Sequence, residues 1–309
     1  MQGLTNSESL VFNIRGNSVA AKVWGDKSGY PVIALHGWLD NAASFDRVAP
    51  FLKGCYVVAP DFSGHGLSGH RESATAYYLW EYALDINDLV MQMKLSNFTV
   101  LAHSMGSGVA SILCAINTHI DTLIFLDGMG APFTIKLEDT VEHFKRAYRI
   151  SEMASRSDAT RANAIQFSDI EEAAQNRTQG VGGSISLQAA KLLVERDLVD
   201  KNGSLMWRHD PELVYPEPIQ LTDQQAAAFV KQIKCPLYIL LGREGLFSKV
   251  VGERSNYLPD QAEISWFDGG HHFHLDSPSD NFISVILSII NKTNMKEETP
   301  FKLIGGASQ

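Results

Sequence analysis

Apolar residues fall in short unbroken runs along this chain: VIALHG, YVVAPDF, FTVLAHS, TLIFLDG, LYILLGR and EISWFDGG, each closed by small or polar residues. A strand with one face in water alternates polar and apolar positions; a strand covered on both faces does not. The runs therefore predict buried strands. LVFNIRGNSVAAKVWG adds two shorter strands around a turn at Gly16 and Asn17. Helical spacing falls between several runs. TAYYLWEYALDINDLVMQMK repeats its apolar residues near every 3.6 positions, with Thr75 placed to cap it, and MGSGVASILCAIN and DNFISVILSIINK read the same way. Strand alternating with helix predicts an α/β fold: a mostly parallel eight-stranded sheet with helices on both faces.

The alternation fails once. Residues 131–225 carry helical patterns, SLQAAKLLVERDLVD the clearest, and no convincing strand. This predicts a helical cap inserted between two core strands. The expected organisation is a core of residues 1–130 and 226–292, a cap of 131–225 and a polar tail of 293–309.

Composition changes the picture in two ways. The 309 residues carry a net charge of -9, which disfavours nucleic acid and anionic membrane as partners, because both need a basic face. Three cysteines, Cys55, Cys114 and Cys235, sit in apolar surroundings. An odd set of this kind reads as reduced thiols in a cytoplasmic protein. The N-terminus lacks the pattern of a signal peptide, and no apolar run reaches the roughly 18 residues of a membrane span. A small-molecule substrate is the expected partner, in a monomer or homodimer.

Candidate chemistry centres on LAHSMGSG, where Ser104 lies between a buried strand and a helix. Strand, tight turn and helix with serine at the turn is the setting of a nucleophile elbow. Such a turn holds the serine at positive φ and requires small residues two before and two after it; here they are Ala102 and Gly106. It also presents the Met105 N–H as an oxyanion donor. A second donor is expected from Trp38, following Gly37 at the end of VIALHG, while His36 reads as a structural histidine bonded to local backbone. The base candidate lies in FDGGHHFHLDSP. His271, His272 and His274 there lack the helical i, i+4 pair and the accompanying ligand set of a metal site, so no metal and no cofactor are expected. His271 directly follows Gly269 and Gly270 and is the chosen base. A neutral imidazole is needed for that role, so activity is expected to rise with pH at about 6 to 7.

HGWLDNAASFD, DFSGHGLS, AHSMGSG and GGHHFHLDSP occur in the order found in the α/β-hydrolase superfamily, which the whole chain resembles. The closing motif resembles the family's G-H-x-x-H-x-[ED]-x-P and again selects His271. DFSGHGLS, residues 61–68, resembles a structural turn of the family. LDNAASFD and WRHDPELVYPEPIQLT look most like its bacterial, serine-hydrolase-like, esterase-type branch. The resemblance implies a serine carboxylesterase for small or medium acyl chains, working through an acyl-enzyme. A carbon–carbon bond or thioester hydrolase, or a non-enzymatic receptor for a small ligand, are the alternatives. Family members usually carry the acid of the triad after the seventh strand, as G-x-x-D. GREG at residues 242–245 has glycine there, with Glu244 one residue early. Asp127, after TLIFL, is the preferred acid and Glu244 the alternative. Phe133, Phe144, Tyr148, Phe167, Met206 and Trp207 of the cap are candidates to line an acyl pocket or to form the cap's own core.

Overall fold

The computed structural model describes residues 7–71, 77–156, 165–180 and 183–294. An eight-stranded sheet is built from β1 (Glu8–Ile14), β2 (Asn17–Trp24), β3 (Tyr30–Leu35), β4 (Cys55–Pro60), β5 (Phe98–His103), β6 (Ile120–Leu126), β7 (Leu237–Gly242) and β8 (Ala262–Phe267). Their order across the sheet is β1-β2-β4-β3-β5-β6-β7-β8. β2 runs antiparallel to β1 and β4, and every other pair is parallel. The α/β class expected from the apolar runs is the one observed.

Alternate residues of the central strands go to opposite faces. Ile33, Leu35, Val100, Ala102, Leu123 and Phe125 pack with helices α1 (Leu79–Gln92) and α2 (Met105–Ile116). Val32, Ala34, Leu101, Ile124 and Leu126 pack on the other face with Phe282, Ile283 and Ile286 of the C-terminal helix Asp280–Asn294. Each large apolar side chain fully buried contributes about 1.5–3 kcal/mol, so both faces reward unbroken apolar runs. The hairpin turn falls one residue earlier than expected. Arg15 and Gly16 take its two positions, at φ 52° and 82°, because a two-residue hairpin that follows the strand twist needs positive φ at both.

β4 lies on one side of β3 and β5 on the other, so the winding direction reverses between β3 and β5. Loops leaving the C-terminal ends of these two strands diverge and open a crevice.

Between β6 and β7 the chain leaves the sheet and returns to one place. Ile135 N–H donates to Leu221 and Asp223 N–H to Ile135, at 3.1 and 3.2 Å. This insertion holds α3 (Thr140–Arg156), α4 (Ile170–Arg177), α5 (Leu187–Glu195) and, at its end, α6 (Asp223–Lys231). Ala226 and Val230 of α6 pack into the α1–α2 face of the core. The insertion also holds strands the sequence pattern hid. Gln166–Phe167, Leu198–Lys201 and Ser204–Trp207 form a three-stranded antiparallel sheet, and Gln179–Gly180 pairs with Gly183–Ser184. They are two to four residues long, too short for an alternating pattern to show. SLQAAKLLVERDLVD accordingly splits: Ser186 caps α5, the helix stops at Glu195, and the second half is a strand. Helix α1 begins at Leu79; Thr75 and residues 295–309 of the expected tail lie outside the described residues. No helix among the described residues is long and apolar enough to cross a membrane.

Candidate active site

Ser104 sits between β5 and α2 with φ 49° and ψ -114°, a conformation that costs a non-glycine residue of order 1–3 kcal/mol. The strand and the helix on either side hold it there. Gly106 explains the need for a small residue two positions on: a Cβ there would lie 2.4 Å from the Leu35 carbonyl oxygen of β3. Ala102 is fully buried in β5. Met105 is the first residue of α2, where the helix offers no acceptor for its N–H.

His271 lies in the loop after β8, where Gly269 turns the chain at φ 115°. Its Nε2 is 2.9 Å from the Ser104 hydroxyl, and its Nδ1 is 2.5 Å from Asp127 Oδ2. An ionised carboxylate only accepts, so Nδ1 carries the proton and Nε2 is left to accept from Ser104. Burial, with His103 and His272 close by, outweighs the opposing Asp127 bond and brings the His271 pKa down to about 4. The imidazole is therefore neutral at physiological pH, and the titration expected at 6 to 7 moves about two units lower.

Asp127 ends β6. Its carboxylate also accepts from Gly242 N–H at 3.2 Å and Leu246 N–H at 2.9 Å. Gly245 stands at the usual acid position, and a Cβ there would lie 2.1 Å from Asp127 Oδ1. The two positions share one space. Glu244 is exposed, its N–H bound to Gly269, and it does not reach the imidazole. Of the two acids the sequence offered, the fold brings Asp127 to His271.

A buried ring of polar groups surrounds these three. His36 behaves as read from sequence: Nδ1 donates to Gly37 O at 2.7 Å and Nε2 accepts from Phe62 N–H at 2.9 Å. His103 Nε2 donates to the His271 carbonyl at 3.0 Å, which pins the His271 backbone. Asp40 accepts from His272 Nε2 at 3.1 Å and from Arg177 of α4 at 2.6 Å. Burial opposes the Asp40 charge, but His272, His103 and Arg177 together hold its carboxyl well below the usual range. Asp40, His103 and His272 are the described residues close enough to share a cation; the Arg177 guanidinium already supplies Asp40 with a counter-charge.

A cavity of about 170 Å³ opens onto Ser104 and His271, with Trp38, Phe133, Phe247 and Arg254 among its walls. This is below the several hundred Å³ of sites for drug-sized ligands. The Trp38 indole donates to Leu213 O in the insertion at 2.9 Å and meets Phe133 edge-on. Among the pocket candidates named from sequence, Phe133 lines this cavity. Phe144 and Tyr148 are exposed on α3, Phe167 packs against Trp207 inside the insertion, and Met206 pairs with Gln166. The sequence pattern assigns no site role to Asp40, Arg177 or Arg254. Their positions are 40, 177 and 254, and only the fold joins them.

Comparison with known proteins agrees with this architecture. The family model described as alpha/beta hydrolase fold matches residues 30–278, from the start of β3 to beyond His271. A hypothetical protein of Pseudomonas aeruginosa is 33% identical and superposes with a TM-score of 0.83, covering 94% of this chain and 100% of its own. Human serine hydrolase-like protein 2 is 29% identical over 296 residues, 90% of this chain and 92% of that one. A serine hydrolase-like protein of Dictyostelium discoideum is 29% identical over 294 residues, 89% and 79% of the two chains. Similarity of this kind is thus not confined to bacteria. With sheet order, serine turn and matched span all in agreement, the chain belongs to the α/β-hydrolase fold family.

Proposed function

We propose that the protein is a serine hydrolase that cleaves carboxylic esters of small or medium acyl chains. The observation that carries this reading is the continuous hydrogen-bonded line Asp127–His271–Ser104, ending at a cavity. Ser104 Oγ attacks the ester carbonyl carbon while His271 Nε2 takes the hydroxyl proton. The N–H groups of Trp38 and Met105 are the donors for the oxyanion. Collapse breaks the bond to the leaving oxygen, which receives the proton from His271, and leaves an acyl-Ser104. Water, deprotonated by His271, attacks that acyl carbon; the acid departs and Ser104 regains its proton. Asp127 holds the imidazole in the required tautomer and stabilises its transient cation. The insertion acts as a cap over the site. The cytoplasm is the proposed compartment: Cys55, Cys114 and Cys235 are free thiols, even with Cys114 and Cys235 sulfurs 4.0 Å apart.

The test is labelling with a fluorophosphonate, read by peptide mass spectrometry, beside turnover of 4-nitrophenyl esters. Label on Ser104, lost in Ser104→Ala, is the expected result, with kcat falling about 10⁴-fold or more in Ser104→Ala and His271→Ala. A folded protein that takes no label and turns over no ester would overturn the reading.

A further inference from the structure

Arg177, Arg196 and Arg254 are buried or half-buried. Arg177 is paired with Asp40, and Arg196, at the end of α5, with Asp61 at 3.0 Å through Nε. The third, Arg254, lines the cavity shared by Ser104 and His271. It forms no ion pair among the described residues. Its guanidinium is held rather than neutralised. Nη1 donates to Ala131 O at 2.6 Å and Met129 O at 3.5 Å, Nη2 to Pro132 O at 3.4 Å, and the group lies 5.3 Å over the Phe247 ring. Asp223 and Glu253 act on it only from beyond contact distance. The Nε–H and the second Nη2–H, the edge that grips a carboxylate with two parallel bonds, make no hydrogen bond among the described residues. Burying a charge without a counter-charge is costly, and a guanidinium edge at a cavity wall is placed to receive an anionic group.

We propose that Arg254 determines specificity by receiving a carboxylate of the substrate, so that the preferred substrates are small half-esters of dicarboxylic acids. This rests on the esterase reading above. One planar guanidinium matches one carboxylate in charge and shape, and the cavity is small enough to keep both ends of such a molecule in contact with the protein. The chain's net charge of -9 works against anions at long range, so the preference must come from this local cation.

The experiment compares kcat/KM for 4-nitrophenyl hydrogen glutarate and 4-nitrophenyl pentanoate, which share acyl length and differ by the carboxylate. The native protein should favour the glutarate by about tenfold to a hundredfold, mostly through KM. Arg254→Gln should erase that ratio and Arg254→Lys keep part of it. A ratio is insensitive to the folded fraction of a variant. Equal ratios in native protein and Arg254→Gln would overturn the proposal. Calorimetry with glutarate on Ser104→Ala separates this from failure of the esterase reading. Should no ester turn over, saturable binding to Ser104→Ala that is lost in Ser104→Ala/Arg254→Gln still supports the role of Arg254, and no binding refutes it.

Discussion

At the scale of single residues, Asp127 and Gly245 compete for one volume beside His271. A side chain on either one excludes a side chain on the other, which gives the missing aspartate after β7 a physical reason. Asp127→Asn should lower kcat about 10³- to 10⁴-fold, because the amide no longer fixes the tautomer or balances the cation. Glu244→Gln, exposed and out of reach, should change it less than twofold. Gly245 does not occupy the left-handed region, so an aspartate there is sterically possible once Asp127 is removed. Asp127→Gly combined with Gly245→Asp should recover at least tenfold of the activity that Asp127→Gly loses; no recovery would mean that the carboxylate position, not only its presence, is fixed. The pH profile is a second prediction at this scale. The base works when neutral, and His271 titrates at about 4. The kcat/KM profile in short assays should therefore be level from pH 5 to 8 and fall with the acid limb near pH 4. A limb near 6.5 would show that the Asp127 charge outweighs burial.

At the scale of elements, two helices of the insertion are tied to the core through buried aspartates. Arg177 ends α4 and reaches Asp40; Arg196 follows α5 and reaches Asp61, which also accepts from Ala42 N–H and Leu67 N–H. Asp61 belongs to the turn that the sequence marked as structural, and its bonds agree with that. These pairs tie the insertion to the loops that follow β3 and β4. Removing one partner leaves a buried carboxylate without its counter-charge, which costs about 3–5 kcal/mol when the burial is complete. Arg177 keeps slight solvent contact, so Arg177→Met should lose about 2–4 kcal/mol in urea unfolding. Arg177→Met in an Asp40→Asn background should lose clearly less, and additive losses would show that the two do not act as a pair.

For the whole molecule, His36, His65, His271, His272 and His274 share one property. Burial is the largest influence on each and lowers its pKa. Unfolding returns these imidazoles to about 6.5. Between that value and their lower folded values the unfolded chain binds more protons, so stability falls as pH falls through this window. Each histidine kept neutral contributes a slope of about 1.4 kcal/mol per pH unit. Asp40 acts in the same sense lower down: its contribution is present above the ordinary carboxylate pKa and is lost as the pH drops below it. Urea unfolding from pH 7.5 to 5 should show steep destabilisation corresponding to uptake of more than one proton. Glu217, which burial pushes up to about 8, acts in the opposite sense over this range, so a flat dependence would mean that the histidines do not outweigh it.

How much was legible follows from the range of each interaction. Strands, helices and the serine turn were readable because burial on both faces and a tight turn act on neighbouring residues. Ser104 and His271 could be singled out because each stands in a local motif, while finding which of Asp127 and Glu244 lies beside His271 needed a distance across 144 residues of chain. The short strands of the insertion were invisible because pairing, not pattern, makes them. The sequence by itself determined the α/β layering and the residues that could attack and abstract. Only the tertiary structure decided which carboxylate meets His271, which arginines are paired with carboxylates, and that Arg254 lines the cavity, because burial and charge pairing depend on contacts between residues far apart in the chain.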